Sequence, residues 1–268
     1  MKLDPIPSGR QKKMEITRPR IISALHDRLL QEPGVLAVWL EGADAVGRVD
    51  EFSDLDLCCS VEPGLLAQAA GLAREALEML GPLDLISRQG DRPDFQEHTV
   101  FHLAGTSEFL LIDFVAYRAG RGSQFVAGDD IEKPLVLFDR GGAITFQPRE
   151  KALAQLGRGQ RLNELRETVA QYSRLQKYLK RGDFLEAFGY YHKWLLVPLI
   201  EALRMKYTPL HPDYYIVHIS RHLPEEALAR LEDLFKIHSI EELESKSEAA
   251  RQFFDETVVR LANVTGSG

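Results

Sequence analysis

WLEGADAVGRVDEFSDLDL, residues 39–57, leaves an apolar strand, passes Gly42 and Gly47, and ends in an Asp-x-Asp pair that opens a second apolar strand. Strand side chains alternate faces, so Asp54 and Asp56 leave one side of the sheet while Leu55 and Leu57 point to the other and enter the core. Two carboxylates so placed repel each other unless a cation lies between them. Hard oxygen ligands on a rigid strand suit Mg²⁺, which takes one or two protein carboxylates and fills its octahedron with waters and substrate phosphates. The pair therefore predicts a nucleotide triphosphate as partner. The competing reading is a solvated Asp-rich turn, since Ser, Asp and Gly are common in loops.

An apolar strand, a Gly-Ser or Gly-Gly step, a short polar turn and then Asp-x-Asp resembles the nucleotidyltransferase superfamily that includes DNA polymerase β. Within it the chain is similar to the small antibiotic nucleotidyltransferases that act on aminoglycosides and lincosamides. Gly42, Gly47, Ser53, Asp54 and Asp56 fall on the matching positions. One position departs: Ala43 stands where the family usually has a serine bonded to the terminal phosphates, so phosphate contact there rests on backbone N–H groups. The resemblance implies nucleotide contacts at Gly42, Ala43, Gly47 and Ser53 and metal contacts at Asp54 and Asp56. It also implies a third carboxylate on a later strand.

Asp113 fits that role, because FLLIDFVAY at 109–117 places it inside an otherwise apolar run. An ionised carboxylate removed from water must be paired or must coordinate a metal. A salt bridge to a buried arginine is the alternative. With three carboxylates, two-metal logic follows: one Mg²⁺ grips the triphosphate and a second activates the acceptor hydroxyl for in-line attack on the α-phosphorus. Positioning and electrostatics then carry the catalysis.

At 268 residues, 44% of them hydrophobic, the chain can bury one large core or two modest ones. No apolar run approaches the roughly 20 residues that span a bilayer, and the first residues lack the apolar core of a signal peptide. Cys58 and Cys59 are adjacent and lack metal-ligand spacing, so they read as core-strand residues. A cytoplasmic protein is expected. A net charge of −7 and a pI near 5.7 argue against a large nucleic-acid surface, which would require a basic face, and favour a cationic acceptor. The first twenty residues are the basic exception, with Lys2, Arg10, Lys12, Lys13, Arg18 and Arg20. A tail is the simpler reading there, and a phosphate-contacting arm the other.

The expected class is α+β, with a basic N-terminal tail over 1–17, a nucleotidyltransferase-type mixed β-sheet with flanking helices over 18–148, and an α-helical bundle over 149–268. A helix at 18–32, strands at 35–40 and 55–61, a helix at 65–80 and a strand at 83–88 open the chain. A polar loop around Arg88 to Asp94, a hairpin of 97–103 and 108–117, and a strand at 134–139 follow. Helices are expected at 150–181, 183–206, 224–236 and 239–263, with Pro198 kinking the second. The segment around 183–222 looks like the C-terminal domain of antibiotic-nucleotidyltransferase-like proteins, whose helices close a cleft over the nucleotide. Glu186, Tyr190, Lys193 and Val197 share a helical face by spacing. Lys193 is thus a candidate triphosphate contact, and Glu186 or Asp183 a candidate general base.

Three functions fit these residues. The first is a Mg²⁺-dependent enzyme that moves a nucleoside monophosphate, AMP from ATP as first choice, to a hydroxyl of a small molecule such as an aminoglycoside-like antibiotic. The second is a protein-modifying (AMPylating) nucleotidyltransferase, and the third a non-catalytic relative that binds nucleotide or a partner protein. Asp113 favours catalysis and Ala43 keeps the third reading open. Monomer and homodimer are both compatible with the sequence.

Overall fold

The computed structural model describes residues 15–92 and 94–265. The expected tail at 1–17 lies outside the described residues except for its last three. The chain is α+β and divides after Arg149 into two compact units.

In the first unit, α1 (Arg18–Leu30) starts on Arg18-Pro19 and presents Ile21, Leu25 and Leu29 at four-residue spacing to the core. It feeds β1 (Val35–Leu40). A single-turn helix, α2 (Gly42–Val46), stands where the sequence promised only a turn, and Gly47 ends it with a left-handed backbone at φ 69°. Next come β2 (Leu55–Val61), a 3₁₀ turn at Pro63–Gln68, and α3 (Ala69–Glu78). The sheet continues through β3 (Leu83–Arg92), β4 (Gln96–Leu103), β5 (Ile112–Arg118) and, after the short β6 (Gln124–Val126), β7 (Leu135–Asp139).

The six-stranded sheet has the order β3-β4-β5-β2-β1-β7, and β2/β5 is its parallel pair. Alternation gives the sheet two different faces. Leu55, Leu57, Cys59 and Val61 of β2 join α1 and α3 in a large apolar core, while Cys58 packs with Ala37, Trp39, Phe125 and Ile144 on the other side. Both cysteines are buried free thiols, as core-strand residues should be. The second face is partly roofed by β6 paired in parallel with β8 (Thr145–Gln147). Neither three-residue strand carries a periodic signal. The loop expected around Arg88 to Asp94 is instead strand through Arg92: β3 is an edge strand of the sheet, where the polar Arg88 and Gln89 are exposed.

The second unit is helical: α4 (Arg149–Gln155), α5 (Arg158–Ala170), α6 (Ser173–Arg181), α7 (Phe184–Tyr191), α8 (Val197–Tyr207), α9 (Ile219–His222), α10 (Glu225–Phe235) and α11 (Ile240–Thr265). The single helix expected at 150–181 is broken at Gly157, whose backbone is left-handed, and again near Gln171. Residues 192–196 between α7 and α8 form a π turn. Pro198, which has no N–H to donate into the preceding turn, follows closely on this wider turn. The core draws on α5 to α8, α10 and α11, with Leu199, Ile200, Leu203 and Met205 at its centre. Arg204, fully buried, donates to the carbonyls of Tyr215 and Val217 and lies 2.8 Å from His222 Nδ1, which pins the 209–218 segment.

Candidate metal centre

The parallel register of β2 and β5 sets Asp56 directly beside Asp113, so their side chains leave the same face of the sheet. Asp54, just ahead of β2, joins them. One oxygen from each of the three carboxylates lies within 4.8 Å of the other two, a spacing that a single cation can bridge. Asp54 is exposed, and Asp56 and Asp113 are half-buried, so the group is open to a ligand from outside.

Asp56 bears the electrostatic cost of this arrangement. Burial, then the nearby Asp54, Asp113, Glu41 and Asp44, push its pKa from 3.8 up to about 7. Glu41 is a fourth acid on this face. Its backbone N–H donates to the Asp56 carbonyl at 3.0 Å, and its carboxylate accepts from the Trp39 indole at 2.7 Å. Burial raises the Glu41 pKa despite the opposing bond from Trp39.

Gly42 answers to Asp56. Its φ is +55°, and a Cβ built on it would stand 2.0 Å from Asp56 Oδ2, so a side chain there would strain the backbone and push the Asp56 carboxylate aside. The loop carrying Asp54 is held from α1. Arg18 forks onto Asp44 at 3.0 and 2.5 Å, donates to the Ser53 carbonyl at 2.9 Å and also reaches the Asp54 carbonyl. Ser53 is occupied locally: its hydroxyl donates to Asp50 Oδ1 at 2.7 Å and accepts the Asp50 N–H at 3.0 Å. Ala43 sits half-buried in α2, and Gly47 has open space around its α-carbon.

Among the described residues no arginine meets Asp113. Its Oδ1 accepts a hydrogen bond from His98 Nε2 at 2.6 Å. His98 lies on β4 opposite Val115, one diagonal step from Asp113 on the same face. Glu186 and Lys193 belong to the helical unit, where both are exposed. The Lys193 ammonium lies 5.4 Å from the Trp194 ring, Tyr190 stacks on Trp194 at 6.3 Å, and Asp183 precedes α7. The π turn interrupts the regular spacing that would have aligned Glu186, Tyr190, Lys193 and Val197.

Sequence reasoning named the three aspartates and missed His98, Glu41 and Arg18. Glu41 had a usable signal, since it lies two residues past Trp39 and so shares its strand parity. His98 had none, because its face relative to Asp113 depends on strand register.

No protein-family model matches the chain, and no curated protein matches it. Among solved structures, it aligns with an aminoglycoside 6-adenyltransferase from Bacillus subtilis over 94% of this chain and 93% of that one, at 11% identity and a TM-score of 0.40. So distant a likeness carries no weight for activity. Among the described residues no helix is long and apolar enough to cross a membrane.

Proposed function

We propose that the first unit carries a Mg²⁺-dependent nucleotidyltransferase centre that moves a nucleoside monophosphate, AMP from ATP as first choice, to a hydroxyl of a small molecule. The observation that carries this reading is the convergence of Asp54, Asp56 and Asp113 from two parallel strands. The donor set fits the ion: all three ligands are hard oxygens, and their mutual repulsion calls for a compensating cation. When bound, a pair of Mg²⁺ ions would supply Lewis acidity at the phosphates and a lowered pKa at the acceptor hydroxyl.

The chain's own residues then have defined tasks. Asp54, Asp56 and Asp113 would together hold the ions. Gly42 leaves the Asp56 carboxylate free of steric interference. In the transfer, the acceptor oxygen forms a bond to the α-phosphorus, the bond from that phosphorus to the β-phosphate bridging oxygen breaks, and pyrophosphate leaves. The acceptor's proton passes to solvent water. The acids Glu41 and Asp44 add negative field to the centre, which supports a cationic, aminoglycoside-like acceptor.

A second reading has its own observation. Ala43 offers no hydroxyl and Ser53 spends its hydroxyl on Asp50, so a nucleotide would meet few side-chain donors in this turn. That supports a binding relative with little or no turnover. Purified full-length protein with Mg²⁺ and each α-labelled nucleotide triphosphate, presented with aminoglycosides, lincosamides and candidate proteins, separates the readings. Label on a small molecule with equimolar pyrophosphate is the expected result. Label on a protein supports the AMPylating alternative, and no transfer from any nucleotide rejects catalysis.

A further inference from the structure

We infer that His98 is the positioning residue of the acidic centre: by donating from Nε2 to Asp113 Oδ1, it fixes that carboxylate as a one-oxygen ligand with Oδ2 left for the cation. This inference rests on the metal-centre reading above.

A carboxylate next to two others has no intrinsic reason to hold one orientation. Rotation about its last torsion is broad and nearly two-fold, and repulsion from Asp54 and Asp56 would turn it away when no cation is present. His98 removes that freedom from outside the cluster. It reaches Asp113 from β4, on the side away from β2, because β5 lies between those two strands. The 2.6 Å contact is on the short side for an N–H donor facing a carboxylate, and a carboxylate oxygen can only accept there. Both side chains are about a quarter exposed, at 30% and 23%, so the pair sits at the mouth of the group and not in the apolar core. No other side-chain hydrogen bond to Asp113 is seen among the described residues. Outer partners of this kind set ligand orientation, and their loss typically costs 10- to 100-fold in metal affinity.

The test is Mn²⁺ binding to the full chain without nucleotide, followed by electron spin resonance of free Mn²⁺. The variants are His98→Ala, His98→Gln, Asp113→Asn and the double variant His98→Ala/Asp113→Asn, each checked by a metal-free thermal melt. His98→Ala is expected to weaken binding at least 10-fold. His98→Gln, whose amide N–H reaches about as far as Nε2, should recover most of that loss. In the Asp113→Asn background, removing His98 should cost nothing further, because its effect runs through Asp113. Wild-type affinity in His98→Ala, or an undiminished extra loss in the double variant, would overturn the inference and leave the metal centre standing. Absence of Mn²⁺ binding by the wild-type protein would reject the metal centre itself, and this inference with it.

Discussion

At the scale of single residues, Asp56 makes the sharpest demand. Its carboxyl titrates near 7 in the folded chain, against 3.8 for the ordinary group. The folded state therefore keeps a proton that the unfolded state gives up. By linkage, the stabilisation from this group is complete below pH 3.8 and is lost as pH rises to about 7, unless a cation is supplied. A displacement that large corresponds to about 4 kcal/mol in a dry site. Water reaching the half-buried carboxylate brings it to about 1–2 kcal/mol. Metal-free Asp56→Asn should accordingly melt several degrees above the wild type at pH 8 and match it more closely at pH 4. Divalent ions should stabilise the wild type increasingly through pH 7 and leave the variant unmoved, since a ligand must shed its proton to bind. Thermal melts across pH, with and without Mn²⁺, measure both. An unchanged pH slope in the variant would contradict the placement of Asp56 at the focus of the acids.

At the scale of elements, two facts build the centre: the parallel pairing of β2 with β5, and the attachment of α1 to the motif loop through Arg18. The aspartates were legible in the sequence because a charge in an apolar strand breaks the pattern and strand parity fixes its face. Their meeting was not, since it depends on which strands pair and in what register. The role of Arg18 was not legible for a related reason: within a basic run nothing local distinguishes a solvated cation from one that forks onto Asp44 and two carbonyls. Arg18→Ala strips a largely buried carboxylate and two carbonyls of their donor and is expected to cost about 2–4 kcal/mol. Arg18→Lys should recover little, because a lone ammonium cannot reproduce the fork. Denaturant unfolding gives both values, and a loss below about 0.5 kcal/mol in the alanine variant, the size of an ordinary surface change, would show that the loop is held otherwise. In the helical unit, composition and periodicity announced helices correctly. The breaks at Gly157 and Gln171 and the π turn ahead of Pro198 escaped, because one residue's backbone angle or missing N–H decides each of them.

At the scale of the whole molecule, two units with separate apolar cores share one chain, and the acidic centre belongs entirely to the first. The α+β class was readable from the change of pattern near Pro148, where alternation gives way to helical spacing. Acceptor identity was not, because it depends on side chains brought together only by folding. The proposed function depends on three carboxylates holding a divalent ion against a polyphosphate. Crystals of the full chain grown with Mn²⁺ and a non-hydrolysable ATP analogue address that claim directly through anomalous scattering. A manganese peak at coordination distance from Asp54, Asp56 and Asp113, with the analogue's phosphates on the same ion, is the expected result. A bound analogue with no manganese at these three side chains, or manganese held elsewhere in the chain, would contradict it.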